Sequence, residues 1–177
     1  MTQATPRHRT DRTKNLVGFL VGEVRYAIDI LRVREIINPL PIVDLPHAPS
    51  SVVGVADHRG AVVPILDLRK RFGLAAVEAT RRTKWVIVDV GERSVGFVVD
   101  AVTDVFGANA TEQREVPRIG GNDARGIVAV YSVEVESRGA ERTTALVFVI
   151  DALRVAEPTL ALDVGGVAIP NDQETGR

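Results

Sequence analysis

Two stretches of this chain repeat each other without a gap. VGEVRYAIDILRVREI, beginning at Val21, and VGERSVGFVVDAVTDV, beginning at Val90, align at a constant offset of 69 residues. Val-Gly-Glu is identical in both. Ala27 meets Gly96, Ile28 meets Phe97, Ile30 meets Val99, Val33 meets Val102, Glu35 meets Asp104 and Ile36 meets Val105. Any two hairpins share a turn and alternating apolar residues, so the pattern has that simpler reading too. Two copies of one β unit explain more, because the matches run past the hairpin into an acidic-apolar segment. Two related small barrels in one chain follow.

The interior of such barrels must be aliphatic. Hydrophobic residues make up 45% of the 177 residues but aromatics only 5%, so Val, Ile, Leu and Ala fill the core, and β-branched side chains suit a pleated surface. Strands are expected at 16–21 and 25–28 around a Gly22-Glu23 turn, at 52–56 and 61–66, at 85–90 and 95–99, and at 128–135 and 144–150. Asp29 is placed to cap a short helix carrying Ile30, Val33, Ile36 and Ile37, stopped at Asn38-Pro39. Pro49 and Gly54 bracket about one helical turn. Asp67 and Gly73 open and close another, and residues 73–83 read as a connector. Residues 101–105 resemble a short helix or turn, and 107–126 are irregular, with a turn at Gly120-Gly121-Asn122-Asp123. Asp151 suits the cap of a brief helix over 152–155 that Pro158 ends, and Leu160, Leu162 and Val164 alternate like an extra edge strand. Long helices are missing, which argues against an open parallel sheet; the expected fold is all-β.

Residues 1–15 are polar and basic, a flexible tail in which Arg7, Arg9, Arg12 and Lys14 face Asp11 alone. They carry no secretory h-region, and no apolar run approaches a membrane span. With no cysteine, disulfides, thiolate metal sites and cysteine nucleophiles are excluded together. These features fit a soluble cytoplasmic protein. A net charge of −1, without basic-aromatic clusters, argues against nucleic acid.

Catalytic signatures are sparse. The histidines are His8, His47 and His58, too few and too scattered for a zinc site or a serine triad. GERSVG at 91–96 lacks the Lys-Ser/Thr of a phosphate loop. Asp29, Asp67, Asp89, Asp100, Asp104 and Asp151 recur at strand ends, where caps and solvent-facing charges account for them. Trp85-Val86-Ile87-Val88-Asp89 has the strand-then-Asp look of a phosphoacceptor domain, but such domains need long helices between parallel strands. No metal or cofactor is expected.

Asp57-His58-Arg59-Gly60 lies where two apolar strands reverse. Gly60 supplies the positive φ of a tight hairpin. Arg59 at the tip must point outward, since a guanidinium cannot enter an aliphatic core unpaired. A permanently charged fork on a rigid turn suits recognition better than acid-base work.

YAIDILRVREI, APSSVVGVADHRGAVVPILDLRKRFGL and WVIVDVGERSVGFVVDAVTDV, in that order, resemble the CheW-like coupling proteins of chemotaxis over residues 16–106, with GIVAVYSV and ALVFVIDAL continuing the match. The resemblance implies two small SH3-like five-stranded β-barrels sharing a core with short helical turns, a CheW-like domain over 16–155 and a divergent C-terminal tail over 156–177. It implies a non-enzymatic adaptor that couples the cytoplasmic tip of a chemoreceptor to the regulatory domain of a CheA-type histidine kinase in cytoplasmic or membrane-associated receptor arrays, without inserting into the membrane itself. Partner-binding positions carried over are Val33, Glu35, Arg59, Gly60, Lys84, Trp85, Val102 and Val105. Val33 and Val105 also suit core positions, and Trp85 is either an exposed anchor or plain core.

The chain departs from the pattern at Asp57-His58, where the family carries Asn and an apolar residue before Arg-Gly, and at residues 136–143 and after Val155. Two further readings therefore stand beside the adaptor. One is a scaffold that keeps a single partner in a dedicated non-chemotaxis cluster. The other is a small enzyme built on Asp57-His58 with a strand-end carboxylate.

Overall fold

The computed structural model describes residues 15–108, 112–114, 116, 126–136 and 142–162. The elements run β1 (Asn15–Val21), β2 (Val24–Asp29), a 3-10 turn (Ile30–Arg32), β3 (Val33–Ile37), β4 (Val52–His58), β5 (Ala61–Asp67), α1 (Leu68–Arg71), β6 (Lys84–Val90), β7 (Arg93–Val99), β8 (Ala101–Gly107), β9 (Glu112–Arg114), β10 (Ile127–Glu136), β11 (Arg142–Ile150) and α2 (Ala152–Leu160). The 69-residue offset carries β1 on to β6 and places β2 on 93–98 and β3 on 102–106, so the repeat is a repeat of structure. Each copy then adds a second hairpin and a helix capped by an aspartate. Asp67 Oδ1 accepts from the Arg69 and Lys70 amides, and Asp151 Oδ1 from the Leu153 and Arg154 amides.

The copies exchange partners. One sheet runs β8-β1-β2-β11-β10-β9 and the other β3-β6-β7-β5-β4. In both, the first hairpin of one copy lies between the third strand and the second hairpin of the other, joined to the latter by a parallel pairing, β2 with β11 and β5 with β7. Neither copy can complete a sheet alone. Each sheet curls into a small SH3-like barrel. The interior of one holds Leu16, Ala27, Val133, Val147 and Val149, and that of the other holds Ala56, Val63, Ile65, Trp85 and Ile87. A third cluster, including Phe19, Tyr26, Leu66, Val86 and Phe97, is shared by both sheets. Burying each large aliphatic or aromatic side chain there stabilises the fold by about 1.5–3 kcal/mol.

The β3–β4 barrel is closed by reciprocal backbone hydrogen bonds between Val43 and Val55, 2.8 and 2.9 Å long. Gly54 permits that closure. It lies inside β4 at φ +139°, where an added Cβ would come within 2.4 Å of the Val43 carbonyl oxygen, so it is not the end of a helical turn begun at Pro49.

Three local expectations are corrected. Residues 33–37 and 101–105 lie in strands rather than helices; a single 3-10 turn, capped by Asp29 Oδ1 on the Leu31 amide, is all the helix that follows β2. Their apolar spacing fits both periods, and pairing with the other copy decides. Pro158 does not end α2, which continues to Leu160 and excludes a strand beginning there. A proline at this position leaves the Arg154 carbonyl without its helical donor, and the Arg71 guanidinium donates to it at 3.4 Å and to the Val155 carbonyl at 3.2 Å. The expected first sheet also gains a sixth strand, the three-residue β9. The N-terminal tail, the turn at 120–123, the tip of the β10–β11 hairpin and Val164 lie outside the described residues.

Candidate functional site

The β4–β5 hairpin reverses through Arg59 and Gly60, at φ +55° and +81°. Positive φ at both central residues is the turn that matches strand twist. Gly60 adopts it freely, and the Gly60 amide donates to Asp57 Oδ1 at 2.7 Å. Arg59, with a Cβ, is strained there by about 1–2 kcal/mol. Glu35 on β3 offsets that strain. Its Oε1 accepts from Arg59 Nη2 at 2.7 Å and its Oε2 lies 3.1 Å from His58 Nε2. Arg59 is thus exposed over 74% of its side chain yet anchored at its tip, while His58 is largely buried beneath it. Asp57, facing solvent and bonded to its own turn, makes no contact with His58 that would pair them for acid-base work.

Six of the expected residues gather on this sheet. Val33 and Glu35 on β3 pair with Val88 and Ile87 of β6, the strand that begins with Lys84 and Trp85. Lys84 Nζ bonds Asn38 Oδ1 and the Arg81 carbonyl, both at 2.9 Å. Val33 is half-buried against the shared core. Trp85 corrects one of its two readings: at 2% exposed, packed among Val63, Ile65 and Ile87, its ring is core and presents no surface. The other two residues lie on β8, at the end of the six-stranded sheet. Val102 packs on the shared core, whereas Val105 is 58% exposed beside the exposed Asp104.

β3 and β8 are equivalent strands of the two copies. Each shows an acid followed by an exposed aliphatic residue, Glu35-Ile36 and Asp104-Val105. Ile36 was legible in the repeat as the counterpart of Val105, but the helical reading of residues 30–37 hid its exposure.

The hairpin turns at Gly22 and Gly91 are equivalent too, but their surroundings differ. Asp100 seals the first. Its Oδ2 accepts from the Gly22 amide at 2.6 Å, and both its oxygens accept from Arg69 Nε at 3.0 Å. Arg69 also holds the Ala75 carbonyl, and Leu74 closes over Gly22. Replacing Asp100 with alanine strands a partly buried guanidinium and an amide. We expect a stability loss of about 2–3 kcal/mol in urea denaturation; an unchanged midpoint would show that the seal is decorative.

At the second turn, Leu31 takes the place of Asp100 and Leu153 that of Arg69, and nothing lies within 4 Å above Gly91. Leu31 is 86% exposed and Leu153 54%. A cleft of about 880 Å³ opens here between β1–β2, the β6–β7 turn, β10 and the start of α2. Leu16, Ile28, Val128 and Leu153 supply apolar lining, and Asp29, Asp89, Asp151 and Arg32 the charges. No group of three His, Cys, Asp or Glu among the described residues is arranged to hold a metal ion.

A model of the CheW-like domain matches residues 15–159. The chain is similar to chemotaxis protein CheW of Rhizobium meliloti strain 1021, 37% identical over 134 residues, covering 73% of this chain and 86% of that one. It is also similar to a probable chemotaxis protein CheW of Rhizobium etli, 34% identical over 121 residues, covering 66% and 78%. Among solved structures, the scaffolding protein TtCheW from Thermoanaerobacter tengcongensis shares the fold, with a TM-score of 0.64 at 24% identity over 84% of this chain and 91% of that one.

Proposed function

This chain belongs to the CheW-like domain family of non-enzymatic chemotaxis scaffolds and adaptors, and on that footing we propose that it couples the cytoplasmic tip of a chemoreceptor to the regulatory domain of a CheA-type histidine kinase. The observation that carries the proposal is the pair of equivalent terminal strands. One molecule offers two similar docking edges on different sheets, Glu35-Ile36 on β3 and Asp104-Val105 on β8. Partners that differ at each edge give heterologous contacts, which extend into rings or arrays rather than closing as dimers.

The first edge carries the Arg59 fork, positioned by Glu35 and His58; Gly60 sets the turn, and Val33 and Lys84 border it. The second carries Val105, with the half-buried Val102 as its footing on the shared core. Trp85 acts through the shape of β6 rather than by contact. In this reading the chain reaches membrane-bound arrays through its partners; among the described residues no helix is long and apolar enough to cross a membrane.

Arg59→Ala is expected to weaken one partner about 30-fold, or about 2 kcal/mol, and Val105→Glu to weaken the other. Calorimetric titration of each variant with the kinase regulatory domain and with a receptor cytoplasmic fragment checks this. If both substitutions fall on the same partner, the chain serves as a single-partner scaffold; if neither matters, the two-edge reading fails.

A further inference from the structure

The open turn at Gly91 and an uncommitted pair of arginines sit at opposite ends of β6. At the equivalent turn this chain supplies its own cover: Arg69 reaches a carboxylate and Leu74 closes over Gly22. Nothing lies within 4 Å above Gly91. Asp29 and Asp151 each spend Oδ1 on capping a helical turn, and Oδ2 of each has no hydrogen-bond or ion-pair partner among the described residues. Asp89 holds Arg34 at 3.1 Å on the rim, and Arg32 is the one cation lining the cleft. Leu31, Val128 and Leu153 are exposed beside them. A segment that fits here brings arginine for the carboxylates and an aliphatic side chain for the leucines, as Arg69 and Leu74 do at Gly22.

The connector before β6 offers both. Residues 74–84 carry Arg81, Arg82 and Lys84 against Glu78 alone. Arg81 and Arg82 form the corner of a pinned turn. The Thr83 amide donates to the Thr80 carbonyl at 3.1 Å, the Thr80 amide to Thr83 Oγ1 at 2.8 Å and the Arg82 amide to Thr80 Oγ1 at 3.1 Å. Lys84 Nζ holds the Arg81 carbonyl. Both arginines are exposed, and neither guanidinium has a hydrogen-bond or ion-pair partner among the described residues. Val77, four residues before Arg81, is 57% exposed. A turn already ordered loses little entropy on docking.

These arginines are out of reach of the cleft in their own molecule. The turn ends at the start of β6 and Gly91 follows its last residue, so the six steps of the strand hold them about 20 Å apart. We propose that the Arg81-Arg82 turn of one molecule docks in the cleft beside Gly91 of a second copy, its guanidinium groups on Asp29 and Asp151 and Val77 against Leu31 and Leu153. The two surfaces differ and lie at opposite ends of β6, so the contact is heterologous and repeats from copy to copy. One turn in one cleft belongs with small, transient interfaces, half-saturated at about a few hundred micromolar. The contact is independent of the coupling role and concerns the free chain.

Two variants that each lose one surface test it. Arg81→Glu with Arg82→Glu removes the turn's charge. Asp29→Asn, Asp151→Asn and Leu31→Lys together disable the cleft and keep both caps, because asparagine caps as well as aspartate. In sedimentation velocity at low salt, the parent chain should associate as its concentration rises, whereas each variant alone should stay monomeric. Mixed, the variants should form a dimer, because one intact turn meets one intact cleft. In the isotope-labelled turn variant, the unlabelled cleft variant should shift the amides of Gly91 and Leu153, several-fold less at about 0.5 M salt. A parent chain that is monomeric at about 1 mM, association that survives in either variant alone, or shifts that avoid the cleft overturns the proposal. Because no kinase or receptor is present, failure leaves the coupling titrations untouched.

Discussion

Trp85→Ala should lower the free energy of unfolding by about 3–5 kcal/mol while leaving the binding surfaces in place. The indole is enclosed by Ala56, Val63, Ile65 and Ile87 inside one barrel, on a strand paired on both sides with Ile37 and Val98. Its removal leaves a cavity that close-packed neighbours cannot fill, so lost contacts add to the lost transfer energy. Circular dichroism in urea is the suitable readout, because Trp85 is the only tryptophan and the variant has no comparable fluorescence. At a temperature where the variant remains folded, partner affinity should stay within about threefold of the parent. A stability change under about 1 kcal/mol with lost affinity would instead make Trp85 an interface anchor.

Gly54→Ala should cost about 3 kcal/mol or more, whereas Gly60→Ala, also at positive φ, should cost about 1–2 kcal/mol. The difference is space. An added Cβ at Gly54 meets the Val43 carbonyl and the Ile42 side chain, whereas at Gly60 it meets nothing within 4 Å. The first substitution pushes Val43 away from β4, breaking the bridge that closes the barrel; the second only strains a turn. Trp85 fluorescence during denaturation reports both. Equal losses would mean that conformational strain alone sets the cost and that the Val43–Val55 closure contributes little.

The amino-acid sequence carried the architecture in two ways. The 69-residue repeat announced two related units, and the alternation of Val, Ile and Leu placed the hairpins within a residue or two. It misread residues 33–37 and 101–105 because strand pairing there is with the other copy, and local spacing contains no information about an exchanged partner. Pro158 misled for a similar reason: the donor that satisfies the Arg154 carbonyl comes from Arg71, 83 residues earlier. At the candidate site, Arg59 was legible as an outward cation from the turn chemistry alone. Its tether to Glu35, 24 residues away, exists only because the sheet curls until β3 meets the tip of the β4–β5 hairpin. Leu31 and Leu153 were invisible as a site. They stand out only when the two turns are superposed and one is found sealed by Asp100 and Arg69.

The central claim is that one molecule holds a kinase domain and a receptor tip at once, on different edges. The most direct measurement is a sequential calorimetric titration: the chain is saturated with the regulatory domain of its CheA-type kinase, and the receptor cytoplasmic fragment is then added. The account predicts saturable one-to-one binding in both steps, with receptor affinity on the preformed complex no weaker than on the free chain. Receptor binding abolished by the kinase domain, or folded protein that binds only one of the two, would contradict it.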